Sequence, residues 1–189
     1  MKTLLLFLML GITGFAVNAE PAEHRPADES YIEPELKIVF PAKAGVFRKQ
    51  EIIRSFNPMI GTTIRYSNLK GDCADVYLYT SPDGVKEISN EVLNTHFREL
   101  IAAILHLPEK GIAVKEVKLI EQKKLLDKQN HPFGCSAEFQ IIWEDGSAQT
   151  SILQLAAYQG KIIKLRMTCS KVHAETFSKV IWKAFSFAL

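Results

Sequence analysis

Three cysteines and five histidines are the residues of this 189-residue chain best suited to covalent or metal chemistry. His131 precedes Cys135 by four positions, and His173 follows Cys169 by four. A neighbouring imidazole can turn a thiol into the thiolate that attacks an electrophile, so Cys135 or Cys169 could serve a small thiol enzyme or hydrolase. Local context favours a plainer reading: His131-Pro132 is a loop before a strand, and His173 lies on the exposed side of a closing helix. No Gly-x-Ser-x-Gly, His-Glu-x-x-His, Cys-x-x-Cys or Asp-rich calcium loop occurs in the sequence. His173-Ala174-Glu175 is too common a pattern to mark a metal, Glu144-Asp145 falls at a hairpin tip, and His96 and His106 flank the apolar stripe of a helix. The glycines outside the leader are isolated, mostly at turns, so nothing cradles a phosphate. No catalytic residue, metal ligand or cofactor is expected, and a non-enzyme is the better reading.

Two other features concern binding and redox state. Tyr77 and Tyr79 share one face of a strand whose other face carries Val76 and Leu78. Rings with polar tips suit ligand pockets and interfaces, which makes Tyr77 and Tyr79 a candidate binding surface. Three cysteines allow at most one intramolecular disulfide; the first reading is three free, mostly buried thiols, and the alternative is one bridge that involves Cys73, with no partner named by the sequence. The aromatic C-terminus, Trp182, Phe185 and Phe187, is expected to close the core.

The compartment follows from the first nineteen residues. Lys2, an apolar stretch from Leu4 to Phe15 and the small-residue site Val17-Asn18-Ala19 form a secretory signal peptide. The stretch is shorter than the about 20 residues a membrane span needs, and no later run approaches that length. The chain is therefore expected to be periplasmic or secreted, soluble, and without a transmembrane segment once residues 1–19 are removed. Residues 20–35 carry six acids against Arg25, a net of −5, with Pro21, Pro26 and Pro34; so acidic a stretch, with little apolar area, reads as flexible. The remainder, 36–189, reads as a single domain, and the whole chain, 47% hydrophobic and 23% charged, has the composition of an ordinary globular protein. Its 21 Lys and Arg are scattered rather than run together, so no nucleic acid is expected.

Within that domain the periodicity alternates between strand and helix. Strands are expected at 46–56, 62–66 and 74–80, with a Ser81-Pro82-Asp83-Gly84 turn. A helix follows over 89–107, with Ser89 as N-cap and the stripe Leu93, Phe97, Leu100 and Ile104. A long strand over 114–126 leads into a three-stranded meander, and Ser170 opens a last helix. Cys135, Ala137, Phe139, Ile141 and Trp143 give one apolar face. Keeping Leu153, Leu155, Ile163 and Leu165 on that same face calls for three-residue loops at Asp145–Ser147 and at Tyr158–Gly160. Those loops pair Phe139 with Leu153 and Leu155 with Ile163. They set Cys135 and Cys169 about 26 Å apart at roughly 3.3 Å per residue, so Cys135 does not bond to Cys169. The fold class is α+β: an antiparallel sheet of about six or seven strands, one helix after the third or fourth strand, and a C-terminal helix packed on it.

Phe40-Pro41, Gly45-Val46-Phe47-Arg48, Gly61-Thr62-Thr63-Ile64-Arg65-Tyr66 and Ala74-Asp75-Val76-Tyr77-Leu78-Tyr79 resemble the opening strands of a loose group of uncharacterised exported bacterial proteins. The order of sheet and helices also looks like the PsbP-like sandwich, whose members act mainly in binding or assembly. The resemblance implies no activity and carries over no site residue. The missing catalytic motifs and the face of Tyr77 and Tyr79 point instead to a soluble exported module that binds a protein or small ligand without catalysis.

Overall fold

The computed structural model describes residues 29–55, 57–81 and 87–185. The signal peptide, residues 20–28, the turn at 82–84 and Phe187 lie outside them. Among the described residues ten strands and two helices run in the order β1 (Tyr31–Ile32), β2 (Val39–Phe40), β3 (Lys43–Ala44), β4 (Phe47–Arg54), β5 (Thr62–Ser67), β6 (Cys73–Tyr79), α1 (Asn90–Leu105), β7 (Val114–Leu126), β8 (Pro132–Trp143), β9 (Ala148–Tyr158), β10 (Lys161–Thr168) and α2 (Lys171–Ala184). A 3-10 turn, Leu107–Lys110, joins α1 to β7. The class is α+β, as expected. The main sheet, however, has eight strands rather than six or seven, in the order β3-β4-β5-β6-β10-β9-β8-β7. Among the described residues the first helix follows the sixth strand, not the third or fourth.

Both helix starts are capped as the sequence suggests. Ser89 Oγ accepts from the Val92 amide and Ser170 Oγ from the His173 amide, each taking up a donor that the first turn leaves orphaned. The two helices cover opposite faces of the sheet. Leu93, Phe97, Ile101 and Ile104 of α1 pack with Ala137, Phe139, Ile141, Leu153, Leu155 and Ile162. On the other side Phe177, Ile181 and Trp182 of α2 pack with Phe47, Ile64, Tyr66, Val76, Ile163, Leu165 and Met167. Phe177 sits edge-on to both Phe47 and Tyr66, with centroids 5.2 and 5.1 Å away.

This two-sided burial corrects the register. At the first hairpin the loop does hold three residues, but they are Glu144 to Gly146, because the Trp143 and Ser147 backbones bond to each other. Ala137 therefore faces Leu153, and Phe139 faces Ser151 rather than Leu153. The second loop is only Gln159-Gly160, with φ of 47° and 75°. Lys161 pairs with Tyr158 across it, and Leu155 faces Lys164 instead of Ile163. Two consecutive residues with positive φ give the tight turn whose twist matches that of its flanking strands. A one-residue shift sends Ile163, Leu165 and Met167 to the α2 side and Lys164 and Arg166 to the α1 side.

Residues 29–35 also depart from the expected flexible segment. Tyr31 is fully buried, stacks on Phe40 at 6.2 Å between centroids, and accepts hydrogen bonds from Arg54 Nε and Nη2 at 3.2 and 3.0 Å. One aromatic ring in an otherwise polar stretch anchors a strap, β1 with β2, across the end of the sheet. At the opposite edge, β7 alternates Lys and Glu and breaks its ladder at three irregularities, devices that keep an edge from recruiting another strand.

Candidate functional site

Strand order turns isolated residues into a row. Glu51 of β4 lies opposite Arg65 of β5, Arg65 opposite Asp75 of β6, and Asp75 opposite Arg166 of β10. Charge alternates along these four adjacent strands, on the face that α1 shares. Arg65 Nη1 donates to Glu51 Oε2 at 2.9 Å, and its Nε stands 4.0 Å from Asp75 Oδ1. The Tyr77 hydroxyl donates to Asp75 Oδ2 at 3.1 Å. Lys164 Nζ lies 3.9 Å from the Tyr77 ring centroid, a cation on an aromatic face.

Burial governs how these groups titrate. Asp75 is 1% exposed, and desolvation pushes its carboxyl up to about 7 despite the opposing pull of Arg65 and the Tyr77 hydrogen bond. Lys164 is pulled down to about 8 by burial and by the like charge of Arg166. Burial likewise draws Arg166 down to about 10. Its guanidinium lies 5.5 Å from the Phe139 centroid, and none of its three nitrogens has a hydrogen-bond partner among the described residues. The row is a charged layer inside a sandwich.

Tyr77 and Tyr79 occupy this same layer. Tyr79 is 7% exposed, and its hydroxyl lies 2.8 Å from His96 Nε2 of α1. Tyr77 is half-buried and engaged with Asp75 and Lys164. Tyr79 ties helix to sheet, while the contacts of Tyr77 to Asp75 and Lys164 stay within the sheet.

The three thiols are free. Cys135 Sγ is 3.2 Å from Asn94 Oδ1 on α1, while Cys169 packs on the α2 side. Cys135 pairs with Leu155 and the Cys169 amide bonds to Thr150. The interval along β9 is thus five residues rather than eight, about 17 Å at roughly 3.3 Å per residue, and still beyond the reach of a disulfide. Burial pushes the Cys135 thiol up and the Cys169 thiol up to about 12, opposite to what a nucleophile needs. His131 Nδ1 faces Asp127 at 3.5 Å and His173 Nδ1 faces Asp72 at 3.1 Å; among the described residues neither ring bonds to a thiol. Cys73 is buried, and desolvation followed by the charge of Asp75 disfavours its thiolate too.

The opening that sequence reasoning missed lies on the other face, where the strap meets the sheet. A cavity of about 310 Å³ is walled by Glu33, Leu36, Arg54, Thr62, Leu78 and Lys161, with Pro34 and Pro58 at its margin. Gly61 lets the wall close up: its φ is +63°, and a Cβ there would sit 1.9 Å from the Leu78 carbonyl oxygen.

The architecture has a known counterpart. Cyanobacterial PsbP (CyanoP) from Synechocystis sp. PCC 6803 superposes with a TM-score of 0.53 over 89% of this chain and 95% of its own, at 12% identity. The fold is PsbP-like. That agrees with the fold expected from the order of elements, and at such low identity the likeness speaks for the fold alone. No protein-family model and no curated relative matches the sequence, so the resemblance to a group of exported proteins gains no support from them. No helix among the described residues is long and apolar enough to cross a membrane.

Proposed function

We propose that the protein is a soluble, exported, non-catalytic binding or assembly module, periplasmic or secreted, and that its ligand occupies the cavity beneath the strap. The observation that carries this reading is the cavity itself: about 310 Å³, open to solvent, with apolar and charged side chains converging on it. That volume falls at the lower end of small-ligand sites, which combine an apolar lining with a few placed polar groups. The site is assigned there rather than to Tyr77 and Tyr79 because both of those hydroxyls are engaged within the fold. A thiol enzyme at Cys135 or Cys169 has less support, since both thiols are held in their protonated form.

Ligand-observed NMR of the purified protein against mixed small fragments tests this reading. Saturable binders are expected, and Thr62→Trp should abolish their binding by filling the cavity. Fragments that bind equally well to Thr62→Trp would refute the assignment.

A further inference from the structure

We infer that the cavity takes a ligand bearing a protonated amine, seated against the Glu33 carboxylate; this rests on reading the cavity as a ligand site. Glu33 is 7% exposed and lines the opening. One of its oxygens, Oε2, accepts from the Leu36 amide at 2.6 Å. Among the described residues no cation pairs with it. A buried carboxylate is ordinarily matched by a positive charge or by several donors, and here a single amide answers one oxygen.

The cations that share the wall are engaged elsewhere. Lys161 Nζ is held 2.6 Å from Glu35 Oε2, and Arg54 directs Nε and Nη2 at the Tyr31 hydroxyl. Neither cation directs a donor at Glu33, which leaves its carboxylate as the acid of the wall that no cation of the described residues contacts. Leu36 and Leu78 offer an apolar wall beside it. At about 30 Å³ for each water-sized group, the cavity has room for roughly ten heavy atoms. An ammonium on a short aliphatic stem fits both the charge and the size.

Three probes of equal length separate this inference from the reading beneath it: pentan-1-amine, pentan-1-ol and pentanoate, titrated at pH 7 while the amide shifts of Leu36, Thr62 and Leu78 are followed. The amine is expected to bind saturably and at least tenfold more tightly than the alcohol, with pentanoate weakest. Glu33→Gln keeps an acceptor for the Leu36 amide but removes the charge, and should weaken the amine at least tenfold while leaving the alcohol unchanged. Lys161→Met frees Glu35 and should tighten the amine. If alcohol or pentanoate binds as well as the amine, the ammonium assignment fails and the ligand site stands. If none of the three moves those resonances, both fail.

Discussion

Asp75→Asn isolates the energetic consequence of placing a carboxyl inside the sandwich. Its folded-state value of about 7 stands about three units above the ordinary 3.8. Between those two values the folded chain holds the proton that the unfolded chain releases. Stability therefore falls as pH rises from about 4 to 7. At 1.36 kcal/mol per unit the full effect is on the order of 4 kcal/mol. Other groups titrate in the same range, so the informative quantity is the difference between wild type and variant. Asparagine can still accept from the Tyr77 hydroxyl and does not titrate. Urea unfolding, followed by the fluorescence of Trp143 and Trp182 at half-unit steps from pH 4 to 7.5, should show the variant gaining on wild type by several kcal/mol across the window. A difference constant to within about 1 kcal/mol would show that Asp75 is not held protonated by burial.

Three further outcomes follow from particular contacts. Gly61→Ala should cost more than about 2 kcal/mol, because a left-handed backbone and a Cβ driven into the Leu78 carbonyl act together; thermal unfolding measures it. Gln154→Leu removes the acceptor, 2.8 Å away, of the buried Trp182 indole N–H, and urea unfolding should record a loss of about 1–3 kcal/mol from the orphaned donor. Peptide mapping of the exported protein without reductant should find no link between Cys135 and Cys169, which lie on opposite faces of the sheet; a linked peptide would overturn the register of β8 to β10.

Much of the fold was legible where one element answers to one periodicity. The stripe through Leu93, Phe97 and Ile104 lands on the sheet as the spacing required, with Ile101 rather than Leu100 completing its buried set. The alternation through β8 likewise names the side chains that face α1. The second hairpin was misread because its register was chosen to gather apolar residues on a single face. β9 already argued against that choice: Ile152, Leu153, Leu155 and Ala156 place apolar groups at both parities, as a strand covered on both sides does. Given two buried faces, a two-residue turn at Gln159-Gly160 satisfies β10 as well as a three-residue loop would.

The sites were less legible, for different reasons. The charged row needs β6 beside β10, an adjacency between segments about ninety residues apart that no local pattern encodes. Until it is known, Lys164 and Arg166 read as the solvent side of an amphipathic strand. The cavity was hidden by composition, since residues 29–35 are acidic and proline-bearing, and averaging over them conceals Tyr31. Yet a single buried ring, stacked on Phe40 and bonded by Arg54, suffices to bring Glu33 down onto the end of the sheet. It follows that the strap and the cavity are one cooperative unit. Tyr31→Ala, which removes the anchor and releases Arg54 of the lining, should weaken pentan-1-amine at least as much as Glu33→Gln does, while the melting of the α1 face, monitored at Tyr79 and His96, stays near that of wild type.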